Sequence, residues 1–368
     1  MARNIFQQLY YKDLNKVYSK FDGVILDNVI GDIPDLQTYF EDMRKFLTPQ
    51  ARVLISYHND LWGPILTFAS KIGLRKKVGI QNWLDERDLG NILNLSGFEV
   101  TSTQKRFFGI TTITIARPNP QKRIRIREYG VSIIIPARNE EGSIAKIVPS
   151  IPKFGKWQEI IFVEGHSKDK TWERIKEMER TLLRQGSGRA RKIIALKQKG
   201  IGKADAVKLG LSKATGDILM IYDSDRTIDA ADLVKFYNAL AYGVGEFANG
   251  SRLVYPMEKD AMRTLNKIGN KLFSSLFTWI LGQKFKDTLC GTKAFFRKDY
   301  IKFKHTKTDP FGDFDLIFGA IRNNLKVIEI PVRYKVRVYG STNINRLHHG
   351  LLLAKMVFLA FKEFKSQT

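Results

Sequence analysis

The stretch that decides the fold is Gly216-Asp-Ile-Leu-Met-Ile-Tyr-Asp-Ser-Asp225. Its centre, Ile218–Tyr222, is an unbroken apolar run with the length of a buried strand, and two carboxylates follow it. Asp223 and Asp225 stand one residue apart, and such paired oxygen ligands suit Mg²⁺ or Mn²⁺. An ordinary acidic turn, with Asp229 as a helix cap, would explain the same residues. The surrounding sequence has to decide between the two interpretations.

Strand and helix patterns alternate upstream of this stretch. Strands are predicted at Val131–Pro136, Glu159–Glu164, Lys192–Lys197 and Asp217–Tyr222, and helices at Glu140–Val148, Lys170–Leu183 and Ala204–Ala214. This alternation indicates an α/β fold with a mostly parallel sheet. Ligands bind such sheets beyond the carboxyl ends of the strands. We therefore expect the chemistry in Pro136–Glu141, Glu164–Asp169 and Asp223–Asp225.

Four segments in this region carry a family resemblance. They are Val131–Glu141 (VSIIIPARNEE), Glu164–Thr171 (EGHSKDKT), Lys199–Ala206 (KGIGKADA) and Gly216–Asp225 (GDILMIYDSD). Their order and spacing resemble the family 2 glycosyltransferases of GT-A fold, and within them the polyprenyl-phosphate branch that includes the dolichol-phosphate mannose synthases. The resemblance covers about residues 130–345. It implies an inverting, metal-dependent hexosyltransferase that moves a sugar from a nucleotide-sugar to a polyprenyl phosphate.

The resemblance also implies donor-side roles for individual residues. The nucleotide-sugar residues would be Pro136, Arg138, Asn139, Glu141, Glu164, Lys203 and Asp223. Asp223 and Asp225, as a DXD motif, would hold the Mg²⁺ or Mn²⁺ ion. The chain departs from the family at Glu164-Gly-His-Ser, where Asp-Asp-Gly-Ser is common, and at Thr227, where the branch often has a Gln ligand. The base and the sugar of the donor therefore stay open.

Acceptor-side roles follow from the same resemblance. The acceptor phosphate would be bound by Arg252, Arg263, Arg337 and Thr342, and the catalytic residues would be Asp225, Asp287, Asp315 and Arg337. A prenyl phosphate is already an anion near neutral pH, so it needs positive charge and positioning rather than a strong base. A hydroxyl acceptor on a glycan, which is the alternative, would need one of the acids as a general base.

The charge of the chain favours anionic partners. Its 368 residues include 61 Lys and Arg against 37 Asp and Glu, which gives a net charge of +24. Such a field attracts phosphorylated substrates, anionic lipid or nucleic acid. A basic nucleic-acid-binding or scaffold protein is thus a second alternative, although no aromatic–basic RNA motif supports it. We expect no nucleic acid partner, and a homo-oligomer is compatible with the sequence.

Two amphipathic segments point to a membrane surface. Leu265–Leu281 and Leu347–Phe364 are apolar with spaced basic residues, which is typical of helices that lie in the bilayer interface. Neither has the roughly 20 apolar residues that a membrane span needs. A single cysteine, Cys290, suits a reducing compartment, and the N-terminus lacks a secretory pattern. We expect a cytoplasmic protein, peripheral on the inner face of the membrane.

The N-terminal part resembles a different family. Four segments resemble the C-terminal half of a class I methyltransferase: Phe21–Asp27, Leu36–Arg52, Asn82–Asp85 and Gly97–Thr101. The resemblance implies a truncated Rossmann-like half-domain, and we expect it to transfer no methyl group. Its helices are expected at Leu36–Leu47 and Leu84–Leu95, and its strands at Phe21–Asp27, Arg52–Tyr57, Phe98–Thr103 and Gly109–Ala116. We expect no S-adenosylmethionine-binding half before Phe21. The expected layout is this half-domain at 1–118, a linker at 119–130, the GT-A domain at 131–345 and an amphipathic helix at 346–368.

Overall fold

The computed structural model describes residues 20–58, 62–74, 82–107, 109–119, 128–184, 191–256, 264–304, 309, 312–337, 339 and 346–365. The chain divides into two compact units, residues 1–123 and residues 124–368. Within the part of the chain described here, no helix combines the length and the apolar character needed to cross a membrane.

Unit 1 (residues 1–123) contains a four-stranded sheet with the strand order β1-β2-β4-β3. The strands are β1 (Phe21–Asp27), β2 (Leu47–His58), β3 (Phe98–Arg106) and β4 (Thr111–Pro118). The helices are α1 (Leu36–Arg44), α2 (Gly63–Lys71) and α3 (Glu86–Leu95). β1 and β2 are parallel, whereas β4 runs antiparallel to both of its neighbours.

The helices of unit 1 begin at the residues that their sequence favours. The Asp35 side chain accepts a hydrogen bond from the backbone of Thr38 at the start of α1, and Asp85 and Asp88 form a capping box at the start of α3. α1 ends at Arg44, so the prediction of a helix to Leu47 was wrong at its end. Leu47 instead pairs with Phe21 and begins β2.

Unit 2 (residues 124–368) contains a seven-stranded sheet with the strand order β11-β9-β10-β8-β5-β6-β7. The strands are β5 (Gly130–Ala137), β6 (Trp157–Glu164), β7 (Arg191–Lys197), β8 (Ile218–Ile221), β9 (Phe247–Ser251), β10 (Lys293–Phe296) and β11 (Val327–Pro331). The helices are α4 (Glu141–Ser150), α5 (Thr171–Arg184), α6 (Lys203–Lys213), α7 (Leu233–Ala241), α8 (Thr264–Leu281), α9 (Arg297–Tyr300), α10 (Phe314–Arg322) and α11 (Arg346–Phe364).

The central strands of unit 2 are buried on both faces. β5, β6 and β8 are nearly continuous runs of buried residues, as expected for parallel strands covered by helices. β10 runs antiparallel to both β8 and β9, whereas the other neighbouring strands are parallel. The sheet is therefore mixed. Because β10 is reversed, its first residue, Lys293, lies at the edge where β8 and β9 end.

Candidate active site at the carboxyl ends of the strands

The loops after β5 and β6 are joined by side-chain hydrogen bonds. The backbone N–H of Asn139 donates to Ser167 Oγ at 3.1 Å, and Asn139 Oδ1 accepts from the backbone of Lys168 at 2.8 Å. The backbone of Glu141 donates to Asp169 Oδ2 at 3.2 Å. Asn139 has a φ of 55°, a left-handed conformation that Asn tolerates. Several polar residues predicted to face a nucleotide thus also hold the two loops together.

The turn that carries Asp223 and Asp225 is tied to the strand beside it. Ser224 Oγ donates to the carbonyl of Pro136 at 2.9 Å. Asp225 Oδ1 accepts hydrogen bonds from the backbone and the hydroxyl of Thr227, at 3.1 and 2.9 Å. Thr227 therefore orients the carboxylate of Asp225. Both carboxylates are partly exposed, as a ligand-binding group must be.

Asp223 forms an ion pair with Lys203, the first residue of α6. The distance from Lys203 Nζ to Asp223 Oδ1 is 2.6 Å. Burial opposes ionisation of Asp223, but the attraction of Lys203 outweighs it and holds the pKa of Asp223 below its usual value. Burial likewise opposes the charge of Lys203, and the attraction of Asp223 outweighs it and raises the pKa of Lys203. A Cβ on Gly291 would collide with both groups.

Asp225 is paired with Arg337, which follows β11. Arg337 Nη2 lies 2.8 Å from Asp225 Oδ2, and Arg337 Nη1 lies 3.4 Å from Glu140 Oε1. Burial raises the pKa of Glu140 to about 7, against the opposing attraction of Arg337. Arg337 thus bridges the carboxylate after β8 and a carboxyl group at the start of α4.

A second ion pair lies where β10 begins. Lys293 is fully buried, and its Nζ lies 2.9 Å from Asp313 Oδ1. Lys293 Nζ also donates to the carbonyl of Cys290. Lys293 contributes to lowering the pKa of Asp223, and Asp313 contributes to raising the pKa of Lys203. These groups therefore belong to one electrostatic environment. We call the following set the charged cluster: Glu140, Lys203, Asp223, Asp225, Lys293, Asp313 and Arg337.

Asp287 and Arg252 form a buried bidentate pair beside the charged cluster. Arg252 Nε lies 2.6 Å from Asp287 Oδ2, and Arg252 Nη2 lies 2.8 Å from Asp287 Oδ1. The guanidinium also lies over the Tyr334 ring, with 5.1 Å from its central carbon to the ring centroid. Burial opposes the charge of Arg252, and Asp287 outweighs it and raises the pKa of Arg252. Each of these two predicted site residues therefore already has a matched partner.

The other predicted site residues are placed as follows. Arg138 is exposed after β5, and Glu164 is buried at the end of β6, where its Oε1 accepts from the backbone of Ser167. Asp315 is buried in the first turn of α10, with its Oδ2 3.4 Å from Lys208 Nζ. Arg263 and Thr342, predicted to bind the acceptor phosphate, lie outside the described residues.

Comparison with known families finds a match in unit 2. Residues 132–303 match the model of the family described as Glycosyl transferase family 2. This part of unit 2 is therefore similar to the family 2 glycosyltransferases. The match begins in β5 and ends just after α9, so it includes the Asp-Ser-Asp turn and the Arg252–Asp287 pair. The protein is a glycosyltransferase that uses a nucleotide-sugar donor.

Curated relatives of the chain are also glycosyltransferases. Glycosyltransferase AglJ of Haloferax volcanii is 28% identical over 223 residues, which are 60% of this chain and 68% of that protein. A UDP-N-acetylglucosamine--dolichyl-phosphate N-acetylglucosaminyltransferase of Methanococcus voltae is 28% identical over 249 residues, which are 61% of this chain and 96% of that protein.

A solved structure with a similar chain path is glucosyl-3-phosphoglycerate synthase of Mycobacterium tuberculosis, in complex with Mn²⁺ and UDP-glucose. Its TM-score is 0.46 and its sequence identity is 17%, over 64% of this chain and 79% of that one.

Sequence reasoning missed part of the charged cluster of unit 2. Lys293 and Asp313 are not among the residues predicted from the sequence, although Asp313 stands only two residues before Asp315. A lysine inside the otherwise apolar strand Lys293–Phe296 was the available signal, because a buried lysine requires a partner. Glu140 was likewise passed over in favour of Glu141, since nothing in the sequence distinguishes the buried acid from its neighbour.

Proposed function

We propose that this protein is an inverting, metal-dependent glycosyltransferase that moves a hexose from a nucleotide-sugar to a polyprenyl phosphate at a membrane surface. The observation that carries the proposal is the pair Asp223 and Asp225, which unit 2 places beyond a buried strand with a basic residue beside each carboxylate. The name of the Methanococcus voltae relative, a dolichyl-phosphate transferase, supports the acceptor class.

The two carboxylates fit a hard divalent cation. Asp223 and Asp225 supply oxygen donors that are partly exposed, and the Asp223 carboxylate lies directly against Gly291, which has no side chain to obstruct it. Among the described residues, no group of three or more His, Cys, Asp or Glu side chains could hold a metal by itself. This agrees with Mg²⁺ or Mn²⁺, which are often held by one or two carboxylates together with substrate phosphates and water. The ion would neutralise charge that develops on the leaving diphosphate.

The basic residues would position the reacting anions. In the displacement, an oxygen of the acceptor phosphate forms the new bond to the anomeric carbon while the bond from that carbon to the diphosphate breaks. Lys203 and Arg337 would stabilise the departing diphosphate, and Arg263 and Thr342 would bind the acceptor phosphate. Arg252 would act at the acceptor side while Asp287 holds its guanidinium in place. We propose Asp315 as a further orienting acid.

The nucleotide would lie along the loops after β5 and β6. Pro136, Arg138, Asn139 and Glu141 would contact the nucleotide from the first loop, and Glu164 would accept a hydrogen bond from the base. The hydrogen bonds of Asn139 and Glu141 hold the two loops together before a ligand arrives.

A direct assay tests the reaction. The purified protein is given labelled GDP-mannose, UDP-glucose or UDP-N-acetylglucosamine with undecaprenyl or dolichyl phosphate and Mn²⁺ or Mg²⁺. We expect a lipid-linked sugar with one donor, loss of at least about 100-fold in rate for Asp225→Ala, and little change for Asp229→Ala. Asp229 is the matched control because it pairs with Lys335. A lack of lipid-linked product with every donor would reject the proposed acceptor class.

Two packed helices offer a surface for the membrane. On α8, Leu272, Leu276 and Trp279 follow one another at helical spacing, and Trp279 is 60% exposed. Trp279 stacks on Phe361 of α11, at 6.0 Å between ring centroids. We define the apolar face as the exposed large apolar residues of these two helices: Leu272, Leu276, Trp279, Leu351, Phe358 and Phe361.

The composition of this surface suits an anionic bilayer. Lys365 lies over the Trp279 ring at 5.8 Å, and residues 331–368 contain seven Lys or Arg and one acid. Apolar groups would enter the acyl boundary while the basic groups stay with the lipid headgroups. A protein held in this way on the inner face of the membrane would meet its lipid acceptor there.

Flotation with vesicles that contain anionic lipid tests this surface. Each buried aromatic side chain contributes about 1.5–3 kcal/mol, so Trp279→Ser with Phe358→Ser should lower vesicle binding by at least about 10-fold. Phe68→Ser is the matched control, because Phe68 is equally exposed but lies on α2 of unit 1. Unchanged flotation of the double variant would reject the apolar face as the membrane contact.

For unit 1 we propose a non-catalytic domain that resembles the C-terminal half of a class I methyltransferase. The support is its sheet, in which β1 and β2 are parallel. β4, the last strand along the chain, lies between β2 and β3 and runs antiparallel to both. We expect no binding of S-adenosylmethionine, and isothermal titration calorimetry that detects binding would overturn this view.

A further inference from the structure

Each carboxylate of the Asp-Ser-Asp turn already has a cation of the protein beside it. Lys203 Nζ lies 2.6 Å from Asp223 Oδ1, and Arg337 Nη2 lies 2.8 Å from Asp225 Oδ2. The two carboxylates are those that the proposed function assigns to the metal, and the two cations are those that it assigns to the diphosphate. The same four charges must therefore be arranged differently before and after the donor binds.

We propose that Lys203 and Arg337 act as exchangeable counter-ions, so that the divalent cation and the nucleoside diphosphate bind cooperatively. Without ligand, the two basic side chains neutralise the carboxylates. When both ligands enter, the carboxylates turn to the metal and the basic side chains turn to the diphosphate. This inference rests on the proposed function and adds the coupling between its two ligands.

Charge balance makes the coupling necessary. A divalent cation that arrives alone would stand beside Lys203 and Arg337, and these like charges would repel it. A diphosphate that arrives alone would meet carboxylates of its own sign. When the two arrive together, the metal pairs with the carboxylates, and the diphosphate pairs with Lys203 and Arg337. Each ligand therefore raises the affinity for the other by the same factor.

The two basic residues are placed where they can move. Lys203 and Arg337 are partly exposed, with side-chain exposures of 34% and 32%. Arg337 lies in an irregular segment after β11, and its second contact to Glu140 keeps it near the Asp-Ser-Asp turn. The neighbouring pairs differ, because Lys293 is fully buried against Asp313 and Arg252 is held by Asp287 through two hydrogen bonds.

Electron paramagnetic resonance of Mn²⁺ measures the coupling without catalysis. The full-length protein is titrated with Mn²⁺ alone and with Mn²⁺ in the presence of saturating UDP or GDP. For the wild type, we expect the nucleotide to raise the affinity for Mn²⁺ by about 10- to 100-fold. Calorimetry should find that Mn²⁺ raises the affinity for the nucleotide by the same factor.

The variants Arg337→Met and Lys203→Met separate this mechanism from simple ligand bridging. Each removes one internal counter-ion, so each should bind Mn²⁺ alone more tightly than the wild type and show a smaller enhancement by nucleotide. Arg337→Lys and Lys203→Arg keep the charge and should retain most of the coupling. Lys335→Met is the matched control on the same segment, because Lys335 pairs with Asp229, and it should leave both affinities unchanged.

The possible outcomes distinguish a failure of this inference from a failure of the proposed function. If the wild type binds Mn²⁺ equally well with and without nucleotide, the coupling is absent and the inference is wrong. If folded Met variants bind Mn²⁺ alone no more tightly than the wild type, the counter-ion mechanism is wrong although the metal site stands. If neither Mn²⁺ nor either nucleotide binds the wild type, the proposed function itself fails, and the inference fails with it.

Discussion

At the scale of single residues, Gly291 controls how closely two charged groups approach the backbone. A Cβ at this position would overlap the Asp223 carboxylate and the Lys203 ammonium. Both groups belong to elements distant in sequence, the turn after β8 and the start of α6, and they meet over the segment that leads into β10. A residue without a side chain is therefore a condition for their ion pair.

Gly291→Ala should damage the site while the fold persists. The added methyl group must displace the Lys203–Asp223 pair, so we expect at least about a 10-fold loss in kcat/KM, equivalent to about 1.4 kcal/mol in transition-state stabilisation. Gly269→Ala is the control, because a Cβ at Gly269 on α8 would meet nothing within 4 Å. Equal activity of the two variants would contradict this role.

Glu140 gives the stability a measurable dependence on pH. Its pKa is about 7 in the folded protein against a model-compound value of 4.5, so the folded state keeps this proton when the unfolded state has lost it. Between these two pH values the folded state binds more protons, and the free energy of unfolding must fall as pH rises. Glu140→Gln should flatten this fall, as urea denaturation at pH 5 and pH 8 would show. An identical slope in the variant would contradict the elevated pKa.

Only some members of the charged cluster were predicted from the sequence. The position of Asp223 and Asp225 beyond a buried strand could be predicted, because the apolar run of that strand is unmistakable. Their role as ligands stays a prediction. The pairing of Lys293 with Asp313 could not be predicted, because it joins the start of a reversed strand to the start of a helix 20 residues later. Such a contact depends on the order of strands in the sheet, which local patterns do not contain.

At the scale of elements, Arg191 at the start of β7 fastens the end of α4. Its guanidinium donates to the carbonyls of Ile151 and Pro152, at 2.8 and 2.9 Å, and also to Gln158 Oε1. The carbonyl groups at the end of a helix, and those of the residues that follow it, need hydrogen-bond partners from outside the helix. Arg191 supplies them and so fixes α4, whose first turn borders the charged cluster.

Arg191→Lys should destabilise unit 2 although it conserves charge. An ammonium cannot reproduce the forked set of hydrogen bonds, and the loss of about two of them should lower the free energy of unfolding by about 2 kcal/mol. Denaturant unfolding monitored by circular dichroism measures this. Lys153→Ala removes an exposed charge from the same loop and should change stability by less than about 0.5 kcal/mol. A Lys variant as stable as the wild type would show that this clamp is unimportant.

Element boundaries in unit 2 could be predicted closely from apolar periodicity. The strand expected at Val131–Pro136 is Gly130–Ala137, and the helix expected at Ala204–Ala214 is Lys203–Lys213. The direction of β10 could not be predicted, because a four-residue strand carries no information about its orientation. In unit 1 the helix after Leu36 was extended too far, since Leu47 continues the apolar spacing but pairs with β1 instead.

At the scale of the whole molecule, each unit has a core of its own. Phe40 and Phe98 are fully buried in unit 1, with ring centroids 6.0 Å apart. Phe277 and Phe314 are fully buried in unit 2, with ring centroids 5.1 Å apart. Residues of the charged cluster come from unit 2 alone. Damage to one core should therefore have different consequences from damage to the other.

Phe40→Ala should lower the stability of unit 1 by about 3–5 kcal/mol and leave sugar transfer within about 2-fold of the wild type. Phe277→Ala, a matched deletion in unit 2, should abolish much of the transfer at 37 °C. Calorimetric unfolding and the transfer assay on the full chain distinguish the two. Strong loss of transfer in Phe40→Ala would show that unit 1 takes part in the reaction.

The reversed strand β10 has a consequence for how such enzymes diversify. The chain leaves the sheet after Ser251 and returns at Lys293, on the strand beside the one it left. The part of this insert that carries α8, between Arg252 and Asp287, can be exchanged as a cassette, provided that the Arg252–Asp287 pair and Gly291 are kept. A lineage could thus acquire new acceptors by replacing one insert while its donor chemistry is inherited intact, and protein engineers can graft at the same two junctions.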